Sequence, residues 1–153
     1  MGLRRKAREL AVQTLYALDY TETEGEFREY GLLNSYPEVL HQIAEHEHIS
    51  EDNSALVFAD ELVRSTIINL EEIEARLTAH SDNWSLERIL HLDRSILRVA
   101  IYEMLFTDAP PPVVINEAIE IAKKYSSDSS KKFVNGILDA IHQELKFKEK
   151  LPE

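Results

Sequence analysis

Apolar residues open the chain at Leu3, Ala7, Leu10, Ala11, Thr14 and Leu18, with Thr14 the weak member. Steps of three and four put them on one side of a helix. Two shorter, poorly marked helices are predicted around Phe27–Leu33 and Pro37–Glu47, where Pro37 suits a first helical position. A long helix capped by Asn53 or Ser54 then carries Ala59, Val63, Thr66, Leu70, Ile73 and Leu77 as its stripe. That alternation of four and three could seed a coiled-coil pair, but the run is short and packing within the domain is expected.

Ser81 to Ser85 is a polar break and the best boundary between two halves. The pattern resumes at Leu86, Ile89 and Leu90, then Ile96, Leu97, Ala100, Ile101, Met104 and Leu105. One continuous helix would bury Asp93 within that stripe, and a bare buried carboxylate is costly. The prediction is therefore a break at His91–Leu92, with Asp93 capping a second helix. Pro110–Pro112 predicts an extended connection. Ile115, Ala118, Ile119 and Ala122 mark the next helix, Ser126–Ser130 a turn with Asp128 as its cap, and Phe133, Ile137, Ala140, Ile141 and Leu145 the last helix. Asn135-Gly136 usually signals a turn, but helical spacing on both sides makes Gly136 a close-packing point instead. No stretch alternates cleanly enough for a strand, so the fold class is all-α.

Composition adds few constraints. The 153 residues, 44% hydrophobic and 29% charged, suit one soluble globular domain. The absence of cysteine excludes disulfides and thiolate metal sites and points to a reducing cytoplasm. No apolar run suggests a signal peptide or a membrane span.

Charge changes the picture more. The net charge is −11, yet residues 1–18 hold Arg4, Arg5, Lys6 and Arg8 against Glu9 alone. Residues 19–80 hold 15 acids and 3 bases. An anion responds mainly to charges within about 8–10 Å, so the local excess outweighs the acidic total. Helical geometry places Arg4 and Arg8 beside the apolar stripe, with Arg5 and Lys6 fanned round the surface. Positive charge at a helix start opposes the macrodipole, and a bound anion would compensate it. A solvated helix end is the plainer alternative. Lys123, Lys124, Lys131 and Lys132, followed by Phe133, form a second basic group. RNA readers combine such charge with aromatic stacking, although Phe133 also begins a core stripe.

Catalytic patterns are missing. There is no glycine-rich phosphate loop, GxSxG or Cys–His pair, and no marked carboxylate pair. His41, His46 and His48 do not form HExxH and read as solvated surface at a helix end. No enzyme, metal site or cofactor is expected.

RRKARELAVQTLYALD, LDRSILRVAIYEML and INEAIEIAKKYSSDSSKKFVNGILDAI resemble, in order and spacing, the NusB family of bacterial transcription antitermination factors. The resemblance is specific in these three blocks, while residues 22–80 match only as generic helices. It implies a single domain over 1–153, of about seven helices in two sub-bundles, about 1–80 and 85–150. It implies binding to boxA, a single-stranded segment of ribosomal RNA leader transcripts, together with NusE, a small-subunit ribosomal protein, in the RNA polymerase antitermination complex. By motif, Arg4, Arg5, Lys6, Arg8, Arg98, Lys132 and Phe133 correspond to RNA-binding positions, and Tyr16 and Asp93 to the NusE interface. The serine-rich SSDSS departs from the family pattern at the Asp128 and Ser129 contact. Self-association into a homodimer that covers the RNA face is a further state within the family. Two other readings stand beside this one. One is a helical adaptor or homodimer without an RNA role. The other is the RNA-binding domain of an RNA methyltransferase system, whose catalytic glycine loop and cysteines this chain lacks. The RNA reading requires the two basic groups to form one face.

Overall fold

Seven helices and no strand occupy the residues that the computed structural model describes, 2–19, 27–81 and 90–149. They fall into two compact units, residues 1–71 and 72–153.

In the first unit, α1 (Leu3–Leu18) packs against both α2 (Arg28–His46) and α3 (Ser54–Ile68), which also touch each other. Every residue from Ala7 to Val12 is buried, so α1 is enclosed round most of its circumference rather than along one stripe. Full burial of Leu10, Leu15 and Leu18 is worth about 1.5–3 kcal/mol each. The Thr14 hydroxyl donates to the Leu10 carbonyl at 2.8 Å, which lets it sit in the apolar row.

The two short helices expected before residue 48 are one helix, α2, with Pro37 in its interior. Proline removes one ladder bond, at a cost of about 3 kcal/mol. Leu32, Tyr36, Leu40 and Ala44 lie four apart on both sides of it, and their common burial keeps the helix continuous. The helix ends in a Schellman motif. Ile49 N–H donates to Ala44 O at 2.8 Å and His48 N–H to Glu45 O at 3.1 Å. His48 takes the left-handed position usual for glycine, with φ 59°.

Asn53 caps α3 by accepting from Ala55 N–H at 2.8 Å. The expected long helix is interrupted at Asn69, whose side-chain amide donates to Ser65 O at 2.8 Å. A separate α4 (Leu70–Ala79) follows. The predicted stripe survives the break, since Ala59, Val63, Thr66, Leu70, Ile73 and Leu77 are all buried.

In the second unit, α5 (His91–Phe106), α6 (Pro111–Tyr125) and α7 (Asp128–Glu149) pack on one another. The predicted polar break beyond Ser81, together with Leu86 and Ile89, lies outside the described residues. Asp93 does not cap a helix. Leu90 is the N-cap of α5, and Asp93 lies in the first turn. Pro110 is the N-cap of α6, and Pro111 and Pro112 begin that helix instead of forming an extended connection. First-turn N–H groups have no intrahelical acceptor, so proline loses nothing there. The buried face of α6 is Val114, Ala118, Ile121 and Ala122, rotated from the expected one. Asp128 is the first residue of α7 rather than its cap. The capping oxygen is Ser127 Oγ, which accepts from Ser130 N–H at 3.1 Å. Gly136 is not a close-packing point. It is exposed, and a Cβ there would meet nothing within 4 Å. Among the described residues no helix is long and apolar enough to cross a membrane.

Candidate nucleic-acid interface

The first turn of α1 contains no acidic residue, and its N-cap, Gly2, offers no capping side chain. Three cationic residues therefore stand at the positive end of the helix dipole with no acid in the same turn. Arg4 is exposed, its guanidinium carbon 5.6 Å from the centre of the Phe58 ring on α3, a cation–π contact that holds it along the surface. Arg5 is half-buried. Lys6 Nζ lies 2.9 Å from Glu47 Oε2, close enough for ion pairing though off the line of a hydrogen bond, and 3.9 Å from Glu9. Arg8 departs from the expected surface fan. It is 6% exposed, because α1 is buried on nearly all sides at this level.

The second basic group surrounds the turn between α6 and α7. Lys123 and Lys124 are exposed, the former 3.6 Å from Glu120 and the latter 5.2 Å from the Tyr125 ring centre. Lys131 is half-buried and Lys132 exposed. Phe133 is 8% exposed. As placed, it is a core residue with an edge at the surface rather than an open stacking platform. Arg98 is similarly withdrawn, at 5% exposure, with Nη2 2.7 Å from Glu74 Oε1. That pair lines a cavity of about 230 Å³ with Leu77, Thr78 and Arg94.

Tyr16 is half-buried on α1. Asp93 is 3% exposed and accepts hydrogen bonds from Ser130 Oγ at 2.8 Å and Ser126 Oγ at 3.3 Å. Burial pushes its carboxyl above the ordinary carboxylate range, while the bonds from Ser130 and Ser126 pull the other way. At the end of α2, His41 faces Glu45 at 3.7 Å and Glu51 at 3.5 Å. Among the described residues no group of three or more His, Asp or Glu is placed to hold a metal ion.

Sequence reasoning missed the partners of these groups. Glu47 on Lys6, Glu74 on Arg98, Phe58 under Arg4, and the two serines on Asp93 are all remote in sequence from what they touch. No spacing within one helix announces them.

With this geometry in view, comparison with known proteins is specific. A model of the NusB family matches residues 5–143. The transcription antitermination protein NusB of Chloroherpeton thalassium is 42% identical over 95% of this chain. This chain spans only 64% of that relative's length. The NusB protein of Geobacter sp. strain M21 is 40% identical over 92% of this chain and 94% of its own. A crystal structure of the antitermination factors NusB and NusE in complex with double-stranded RNA contains a similar chain. It has a TM-score of 0.76 and 26% identity, covering 93% of this chain and 97% of that one.

Proposed function

Because this chain belongs to the NusB family, we propose that it is a transcription antitermination factor that binds RNA and catalyses no reaction. Its RNA is a boxA-type single strand of ribosomal RNA leader transcripts. It binds together with NusE, so that RNA polymerase continues elongating, and it works in the cytoplasm. The observation that carries this reading is the cationic, acid-free first turn of α1, where the segment that matches the family begins at residue 5. Charge placed against the dipole in an otherwise acidic chain is accounted for by an anionic partner.

Arg4, Arg5 and Lys6 in the first unit, and Lys132 in the second, neutralise RNA phosphates. Arg8 in the first unit, and Arg98 and Phe133 in the second, are withdrawn into the fold and offer the RNA edges rather than whole side chains. Tyr16 serves the NusE side, and Asp93 serves it from beneath the surface. The acidic residues of α2 and α3 repel RNA and limit nonspecific coating. Two partners bound together let each binary contact stay modest while the ternary complex is tight.

The test is boxA binding by the Arg4→Glu/Arg5→Glu double variant, measured by fluorescence anisotropy with and without NusE. Two reversed charges at phosphate contacts should weaken binding by at least about 100-fold at low salt. Binding to NusE alone should be unchanged. Wild-type RNA affinity in the double variant would overturn the role given to the α1 start, and no boxA binding by the wild-type protein, with NusE binding intact, would support an adaptor without an RNA role.

A further inference from the structure

Asp93 corresponds by motif to a partner interface, yet its carboxylate lies below the surface and its hydrogen bonds point inward. Ser126 ends α6, Ser127 caps α7, and Ser130 lies in the first turn of α7. Each serine hydroxyl has one proton to give. Ser130 gives its proton to Asp93 Oδ2 at 2.8 Å. Ser126 Oγ stands 2.7 Å from Ser130 Oγ and 3.3 Å from Asp93 Oδ1, so either acceptor keeps it in the same cluster. Ser130 is thus tied twice, through its N–H to the cap and through its hydroxyl to α5. The next residue, Lys131, donates its N–H to Ser127 O at 3.0 Å. Lys132 and Phe133 follow within the same turn of helix.

A helix turns about 100° and rises 1.5 Å per residue, so the anchoring of its first turn sets the direction of every side chain in the next. We propose that Asp93 is a positioning residue for RNA binding: by holding Ser126 and Ser130 it fixes the start of α7, and so the direction in which Lys132 and Phe133 are presented. The proposal rests on the reading of Lys132 and Phe133 as RNA contacts. It explains why a carboxylate is buried here. Oδ2 accepts from Ser130 and Oδ1 stands within reach of Ser126, so each oxygen faces a serine hydroxyl, whereas an amide has one acceptor oxygen. It also explains the serine-rich turn, since each of Ser126, Ser127 and Ser130 supplies a hydroxyl to the cluster.

The test measures binding of a fluorescent single-stranded boxA RNA to the full chain carrying Asp93→Ala, Asp93→Asn, Ser130→Ala, the Asp93→Ala/Ser130→Ala pair, or Lys132→Ala. Asp93→Ala and Ser130→Ala should each weaken binding by about three- to tenfold, and the pair by no more than the worse single change. Asp93→Asn should keep more affinity than Asp93→Ala. In the free Ser130→Ala protein the Lys132 and Phe133 amide resonances should shift. That readout stays available if Asp93→Ala fails to fold. A loss with Asp93→Ala and none with Ser130→Ala would overturn the proposal in favour of direct contact, and additive losses would overturn it equally. Unchanged binding in both, with Lys132→Ala weakened, would show that the segment meets RNA without needing Asp93. Unchanged binding with Lys132→Ala would remove the underlying reading, and the proposal with it.

Discussion

Lys6 is a cationic side chain of α1 that the fold holds in check through an ion pair. Its ammonium is 2.9 Å from Glu47, with 28% of the lysine and 23% of the glutamate side chain exposed. Two unit charges at that distance attract by about 1.4 kcal/mol in water and about 6 kcal/mol at an effective dielectric near 20. Desolvation and side-chain ordering offset most of this, leaving about 1 kcal/mol net. An RNA phosphate reaching Lys6 must compete with that pair and also faces the Glu47 charge. Glu47→Gln removes both obstacles. If the full 1 kcal/mol is released, boxA affinity rises about fivefold, so a two- to fivefold gain is expected, with up to about 1 kcal/mol lost in stability. The assay is anisotropy titration at fixed ionic strength. Glu45→Gln is the control, because it removes an equal charge from an exposed site on the same helix end. The gain should vanish in a Lys6→Ala background. Equal affinities for Glu47→Gln and Glu45→Gln would refute the argument, since only general charge would then matter.

Other substitutions test the fold. Gly136→Ala should stabilise the protein by about 1 kcal/mol, raising Tm by about 2–4 °C in thermal unfolding by circular dichroism, because α7 loses a flexible residue and the new methyl meets nothing. A lower Tm would mean that something does lie against Gly136. His48→Gly should add about 0.5–1 kcal/mol by relieving the left-handed backbone at φ 59°, and urea unfolding with no rise in midpoint would count against the Schellman reading. Glu144 accepts a hydrogen bond from His80, and with Arg76 and Lys148 also facing it, its carboxyl is held below the ordinary value of 4.5. A depressed acid stabilises the fold fully above its unfolded value and loses that contribution as pH falls through the folded one. Glu144→Gln should therefore lower stability at pH 7 by about 0.5–1 kcal/mol, with the difference closing at acid pH. A constant difference across that range would contradict the sign.

Much of the helical fold is legible in the sequence because burial follows period. The α3–α4 stripe is buried residue for residue, and the Leu3–Leu18 pattern spans α1. The departures share one cause. Pro37 inside α2, the break at Asn69 and the rotated face of α6 are decided by tertiary packing and local capping, which a single-helix pattern does not carry. Proline's first-turn tolerance does not apply to Pro37, where it was expected, and does apply to Pro111, where it was not. At the candidate site, the cationic positions are readable from the sequence and their availability is not. Arg8, Arg98 and Phe133 are buried by neighbours distant along the chain. Within its own helix Asp93 must be either bare or exposed, and the serines that make its burial tolerable lie more than thirty residues away.

The central claim is that the start of α1 and the start of α7 each contact RNA. Ultraviolet crosslinking of the full chain to single-stranded boxA RNA, with the crosslinked peptides identified by mass spectrometry, tests it directly. The account predicts crosslinks in residues 3–8, suppressed by Arg4→Glu/Arg5→Glu, and crosslinks in residues 131–133, suppressed by Lys132→Ala. Crosslinks confined to one of these segments, or centred on the acidic surface of α2, would contradict it.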